Sequence, residues 1–128
     1  MSSKLFSIIT PVFNGATFIE ETIKSIINQT YKNFEYIIVD GESTDGTKEI
    51  INRYSSKINK FISEKDEGMY DAIDKAINIS TGKYILWVNS DDVLVDNNCL
   101  ENVSSLLQKK NYKWITGRVS FIFKNKKK

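Results

Sequence analysis

The stretch from Tyr84 to Asp92, YILWVNSDD, sets five apolar residues in a row and soon ends in two adjacent carboxylates. An uncharged run of that length reads as a strand buried on both faces, as strands are inside a mostly parallel sheet. Trp87, in the middle of the run, then reads as core. Asp91 and Asp92 follow where the strand should end, and open α/β sheets bind ligands outside the carboxyl ends of their strands. Neighbouring carboxylates repel unless something positive stands beside them. A divalent cation is one natural partner. The other reading is local, because Asp is also favoured in turns and at helix N-caps.

The rest of the chain alternates in the way such a strand requires. Leu5 to Thr10 reads as a first buried strand that stops at Pro11, which cannot donate to a ladder. Asn14-Gly15 marks a turn. From Thr17 the period becomes helical, with Ile19, Ile23, Ile26 and Ile27 on one stripe and Thr17 with Glu20 spaced as a capping box. Glu20 and Glu21 also suit the positive end of the helix dipole. Phe34 to Val39, closed by Asp40, is a second strand, and Ile50, Ile51 and Tyr54 mark a helix after it. Ile58 to Ser63 predicts a third strand, and Met69, Ile73, Ala76 and Ile77 a third helix. Gly82 fits the stop of that helix. Leu100, Val103, Leu106 and Leu107 predict a fourth helix, and Tyr112 to about Phe123 a last β-rich stretch broken at Gly117. Strand and helix in alternation predict an α/β fold: a mostly parallel sheet with helices on both faces.

Size and composition narrow the choice. At 128 residues, the chain reads as a single domain over residues 1–128. Its 18 basic and 16 acidic residues leave a net charge of +2, with no concentrated basic face for nucleic acid. Lys124, Lys126, Lys127 and Lys128 form a basic end, read as solvated or as a patch for peripheral association with a membrane surface. There is no histidine, which excludes a Ser-His-Asp triad, a Cys-His pair and a His-ligated zinc site within this chain. Cys99 is the only cysteine and reads as a packing residue in a reducing compartment. No run is long enough to span a bilayer, and the first residues lack the order of a signal peptide. A cytoplasmic protein is the expectation, with the inner face of the membrane as the variant that the lysine end suggests.

In a doubly wound sheet the carboxyl ends of the parallel strands line one edge. That edge collects Thr10, Pro11, Val12 and Asn14 from the first strand, and Asp40 and Ser43 from the second. The loop from Asp66 to Gly68 comes from the third, and Asp91 and Asp92 from the fourth. Carboxylates gathered there repel one another and add no evident stability. A metal-bridged diphosphate carrying hydroxyls would explain them, since Mg2+ or Mn2+ takes one or two carboxylates plus substrate phosphates. No Gly-x-Gly-x-x-Gly follows the first strand and no Gly-Lys-Ser/Thr loop is present, which disfavours dinucleotide oxidoreductases and P-loop hydrolases. Tyr70, Asp71 and Lys75 either face this edge or lie on a solvated helix face.

Several segments in fixed order carry a family resemblance: SIITPVFN (Ser7 to Asn14), Gln29-Thr30-Tyr31, VDGESTDGT (Val39 to Thr47), DEGMYDA (Asp66 to Ala72), and Gly82 through Asp92. From about Leu5 to Gly117 the chain resembles family 2 glycosyltransferases. It departs from the family pattern at Gly41-Glu42, at Ile73-Asp74 and at Ala76. The resemblance implies a Rossmann-like GT-A fold and inverting transfer of a sugar from a nucleotide-diphosphate donor, a UDP-sugar first among them, to a glycan or lipid-linked acceptor. Thr10, Pro11, Val12 and Asp40 would hold the base. Asn14, Ser43 and Asp66 complete the expected nucleotide-binding set. Asp91 would contact the ribose, and Asp92, in a DXD-like motif, would bind Mn2+ or Mg2+. The matched segments are all on the donor side. The acceptor-binding part and the general base are expected beyond Lys128, so a nucleotide-sugar-binding module without turnover is the alternative.

Overall fold

A computed structural model describes residues 3–117. Four strands and four α-helices alternate: β1 (Phe6–Val12), α1 (Ile19–Ile27), β2 (Phe34–Asp40), α2 (Thr47–Arg53), β3 (Lys60–Ser63), α3 (Met69–Ile79), β4 (Tyr84–Trp87) and α4 (Cys99–Lys109). A single 3-10 turn, Ser55–Lys57, leads from α2 to β3. All pairings are parallel and the sheet order is β3-β2-β1-β4. The chain therefore winds outward from β1 to β3, then returns to the far side of β1 for β4. The carboxyl ends of β1 and β4 meet where the winding reverses, which is where open α/β sheets place their crevice.

The two central strands are buried on both faces, and their alternation sorts the core into two layers. Ile8, Tyr36 and Ile38 pack with Ile19, Ile23 and Ile26 of α1, Ile51 of α2 and Leu100 of α4. Ile9, Ile37 and Val39 face the other way, onto Ala72 and Ala76 of α3. Helices thus cover both faces. Each fully buried Ile contributes roughly 1.5–3 kcal/mol relative to exposure, so β1 and β2 carry the sheet.

Several expectations change at the element ends. β1 continues through Pro11, which pairs with Val39. Ile9 turns its carbonyl toward β4, accepting from the Val88 N–H at 2.9 Å, whereas Val12 turns toward β2, accepting from Gly41 at 2.9 Å. Pro11 shares the orientation of Ile9, and β4 ends at Trp87 opposite Ile9. The missing N–H of Pro11 therefore falls where β4 offers no acceptor. The Thr17–Glu20 capping box does not form: Phe18 occupies the N-cap with no side-chain cap bond. The Gly15 carbonyl accepts from the Phe18 and Ile19 N–H groups, and Glu20 instead accepts the Tyr54 hydroxyl at 2.6 Å. β3 begins at Lys60, two residues later than expected.

β4 is not buried on both faces. Among the described residues it pairs only with β1, and Ile85 and Trp87 are each 43% exposed on the α3 side. Trp87 is therefore not core; its ring meets that of Tyr70 edge-on at 6.3 Å. Gly82 is not a left-handed helix cap. A Cβ there would stand 2.5 Å from the Ser7 amide nitrogen, so glycine lets the chain enter β4 against β1. Residues 112–117 form no strand, and the remainder of the expected β-rich stretch lies outside the described residues. Among the described residues, no helix is long and apolar enough to cross a membrane.

Candidate functional site

A cleft of about 960 Å³ opens at the carboxyl edge of the sheet, large enough for a cofactor-sized ligand. Every strand sends its following loop to the wall. β1 supplies Pro11 to Gly15, β2 supplies Gly41 and Glu42, β3 supplies Lys65, Asp66 and Gly68, and β4 supplies Asn89, Ser90 and Asp91. Phe18 before α1 and Met69 and Ala72 of α3 add apolar surface. The cleft thus joins an apolar floor to a rim carrying Glu42, Asp66 and Asp91 and the cation Lys65.

Of the residues expected at the site, Pro11, Val12, Asn14, Asp66 and Asp91 line this cleft. Four others do not, and each has a physical reason. Thr10 is fully buried on the α1 side of the sheet, where its hydroxyl shares a 2.9 Å hydrogen bond with that of Tyr36. Burial pushes the Tyr36 hydroxyl pKa far upward, against the smaller opposing effect of Thr10, so it stays a neutral partner. Asp40 shares that face and is also fully buried. Its Oδ2 accepts from the Ser43 N–H at 3.0 Å and the Ser63 hydroxyl at 2.7 Å, and its Oδ1 accepts the Ser43 hydroxyl. Asp40 and Ser43 therefore shape the loop behind the wall. Asp92 is exposed beside the cleft, with its carbonyl held by Thr22.

The β1 and β2 loops are stitched together. Asn14, at φ 49°, donates its N–H to the Ser43 hydroxyl at 2.8 Å, and its side-chain oxygen accepts from Thr44 at 2.9 Å. The Gly15 N–H reaches the Thr47 hydroxyl at 3.0 Å, and the Ala16 N–H reaches Asp45 Oδ2 at 3.1 Å. Asp45 also accepts the Thr47 hydroxyl and N–H. The Thr47 hydroxyl first, then the Ala16 and Thr47 N–H groups, hold its carboxyl below the usual range despite an opposing effect of burial. The wall under Asn14 is thus built from fixed hydrogen bonds.

Asp66 Oδ1 accepts from Gly68 at 3.0 Å, ordering the entry to α3. Tyr70, Asp71 and Lys75 do not line the cleft. Asp71 accepts the Glu67 N–H at 3.0 Å, the main reason its carboxyl sits below the usual range, and Lys75 lies between Glu64 and Asp71 at 3.1 and 3.4 Å. Phe13, Phe18, Glu42, Lys65, Asn89 and Ser90 line the cleft without having been singled out. For all but Phe18, which precedes α1, the signal was position alone, since each lies in a loop that follows a strand end already assigned to the edge.

Among the described residues, no group of three or more His, Cys, Asp or Glu side chains is placed to hold a metal ion. Asp91 on the wall with Asp92 beside it fits a different donor set. Mg2+ and Mn2+ are commonly held by one or two carboxylates and completed by substrate phosphates and water; Asp91 lines the cleft, and the adjacent Asp92 is exposed beside it.

The sequence pattern of Glycosyl transferase family 2 matches residues 7–128. A "PGL/p-HBAD biosynthesis glycosyltransferase" of Mycobacterium bovis is 33% identical over 110 residues, covering 84% of this chain and 43% of its own. The Staphylococcus aureus protein TarS, residues 1–349, solved with UDP-GlcNAc, superposes with a TM-score of 0.79 at 25% identity, covering 92% of this chain and 37% of that one. The mannosyltransferase PcManGT of Pyrobaculum calidifontis, solved with GDP-Man and Mn2+, superposes at 0.74 and 25% identity over 84% of this chain and 33% of that one. The chain thus spans less than half the length of these relatives. Their shared GT-A architecture is that of the sheet and helices described above.

Proposed function

The chain belongs to glycosyl transferase family 2, and we propose that it is the donor-binding part of a transferase moving sugar, with inversion, from a nucleotide diphosphate to a glycan or lipid-linked acceptor. The observation that carries this reading is the cleft itself, which gathers all four strand ends at the β1/β4 reversal and sets Asp91 on its wall. Pro11, Val12, Met69 and Ala72 offer an apolar bed for a base, and Asn14, Glu42 and Asp66 offer polar groups around it. Asp40 and Ser43 act from behind by fixing the β2 loop. α3 begins at the cleft wall, and the positive end of a helix dipole favours a diphosphate.

Asp92, beside the cleft, would hold Mn2+ or Mg2+ together with the donor phosphates, and Asp91 on its wall would contact the ribose. Such an ion, when bound, supplies Lewis-acid stabilisation of the departing nucleoside diphosphate. The protein residues bind and orient the donor so that the acceptor hydroxyl can approach the opposite face of the anomeric carbon. The group that takes the proton from that hydroxyl must reach it directly or through one water, and is placed in the acceptor-binding part. A donor-binding module without turnover is the second reading, favoured by the donor-side position of every cleft residue named here.

Thermal-shift measurements with UDP and GDP, each with and without Mn2+, test the proposal. A hundredfold excess over Kd stabilises by about 2.7 kcal/mol, so a Mn2+-dependent rise in Tm is expected for one nucleotide, lost in Asp92→Ala and reduced in Asp91→Ala. No metal-dependent rise with either nucleotide would overturn both readings. Slow Mn2+-dependent hydrolysis of the matching nucleotide sugar separates transfer chemistry from binding alone.

A further inference from the structure

A polar stripe on α1, continued just past its end by Gln29, grips the loop that carries Asp91. Thr22, Ser25 and Gln29 follow one another at helical spacing, and Thr22 and Gln29 are fully buried. Residues 88–98, between β4 and α4, contain no helix or strand. Thr22 Oγ1 lies 2.6 Å from the Asp92 carbonyl and 3.0 Å from the Ser90 carbonyl, the two that bracket the Asp91-Asp92 pair. Farther along, Ser25 Oγ accepts the Leu94 N–H at 3.2 Å. Gln29 donates to the Asp96 carbonyl at 2.6 Å and accepts from the Leu100 N–H at 3.1 Å.

We propose that Thr22 is a positioning residue for the Asp91-Asp92 pair, its single hydroxyl fixing the peptide unit before Asp91 and the one after Asp92, and so the way these two side chains are presented to the cleft. The inference rests on the reading of the cleft as a nucleotide and metal site. A three-centre bond from one buried hydroxyl sets two carbonyls at once, and so restricts the directions in which the two Cα–Cβ bonds between them leave the chain. The α1 backbone supplies a rigid base for that grip, because Ile19, Ile23 and Ile26 anchor the same helix in the core. Residues that orient metal ligands without touching the metal typically change metal affinity 10- to 100-fold when lost.

The test compares wild type, Thr22→Val and Thr22→Ser in calorimetric titrations with UDP and GDP, in Mn2+ and in EDTA. The expected result is that Thr22→Val weakens the Mn2+-dependent binding by about 10- to 100-fold, leaves metal-free binding unchanged, and is rescued by Thr22→Ser. Hydrogen exchange gives a readout that needs no ligand: the Asp92 and Leu94 amides should lose protection in Thr22→Val while those of β1 and α1 keep theirs. Should valine disturb the core, Thr22→Ala gives the same comparison. Unchanged exchange at Asp92 and Leu94, or metal-dependent and metal-free binding falling together, would overturn the proposal. Absence of metal-dependent binding in the wild type overturns the nucleotide reading instead, and the exchange pattern then decides alone whether Thr22 orders the loop.

Discussion

The carboxylate of Asp66 lies against the backbone of Gly41, so closely that a Cβ on that glycine would stand 3.0 Å from Asp66 Oδ2 and 3.1 Å from Oδ1. Gly41 belongs to the part of the cleft wall that follows β2 and Asp66 to the part that follows β3, so this contact sets how near the two come. Gly41→Ala must push the carboxylate aside by a few tenths of an ångström, against its bond to the Gly68 N–H. A side-chain tip can give way more cheaply than backbone, so the stability cost should be about 1 kcal/mol, the low end for overpacking. Nucleotide affinity should fall more than stability does. Chemical denaturation and calorimetric titration on the one variant check both.

Thr10 and Tyr36 predict a different pattern. Their hydroxyls satisfy each other at 2.9 Å inside the core, out of reach of the cleft. Thr10→Val strands the Tyr36 hydroxyl and should cost about 1–3 kcal/mol. Adding Tyr36→Phe removes the stranded group and should restore much of the loss. Nucleotide binding by the folded fraction should be unchanged in each variant. A denaturation double-mutant cycle measures the coupling, and a selective loss of nucleotide binding in Thr10→Val would return Thr10 to the base site.

These two cases show what could be read in advance. The continuous apolar runs of β1 and β2, the isoleucine stripe of α1 and the carboxyl-edge loops follow from period and residue type, so the fold and the place of the cleft were legible. Which face each edge residue takes was not. Counting by two from Tyr36 through Ile38 puts Asp40 on the α1 side, but only the packed structure shows that the cleft lies elsewhere. Pro11 stays in its strand because β4 stops short, and Gly82 is small because β1 passes beside it. Both depend on partners distant in sequence. Thr22 and Ser25 on α1, and Gln29 just past its end, carry no local sign of the loop they hold.

At the opposite edge of the sheet, Glu35 gives a pH dependence. Burial alone would raise its pKa, but the Thr81 N–H, the Ser7 and Thr81 hydroxyls and the Lys60 charge together hold it below the ordinary 4.5. The Thr81 N–H and the Ser7 hydroxyl each approach Oε1 at 2.7 Å, and Lys60 lies 3.4 Å from Oε2. A folded pKa below the unfolded one stabilises the protein above pH 4.5, and that stability is lost as pH falls through the lowered value. Thermal melts from about pH 6 to pH 3 should show Tm falling on acidification. In Glu35→Gln, Tm should be lower at neutral pH and the acid limb shallower. An unchanged acid limb in that variant would assign the acid sensitivity to other carboxylates.

Glu42 stands on the cleft wall with φ 68°, one of two non-glycine residues at positive φ among those described. A side chain in that region costs roughly 1–2 kcal/mol, and strain of this kind gathers where a residue is kept for function. Glu42→Gly should relieve the strain. Glycine also widens the unfolded ensemble, at a cost of about 0.4–1 kcal/mol, so the net gain should be about 0.5–1 kcal/mol. If the carboxylate contacts the donor, the same variant should bind its nucleotide more weakly while melting at a higher temperature. Opposite shifts in Tm and affinity within one variant could not come from general damage to the fold. A rise in Tm with unchanged affinity would leave Glu42 strained but without a part in donor binding.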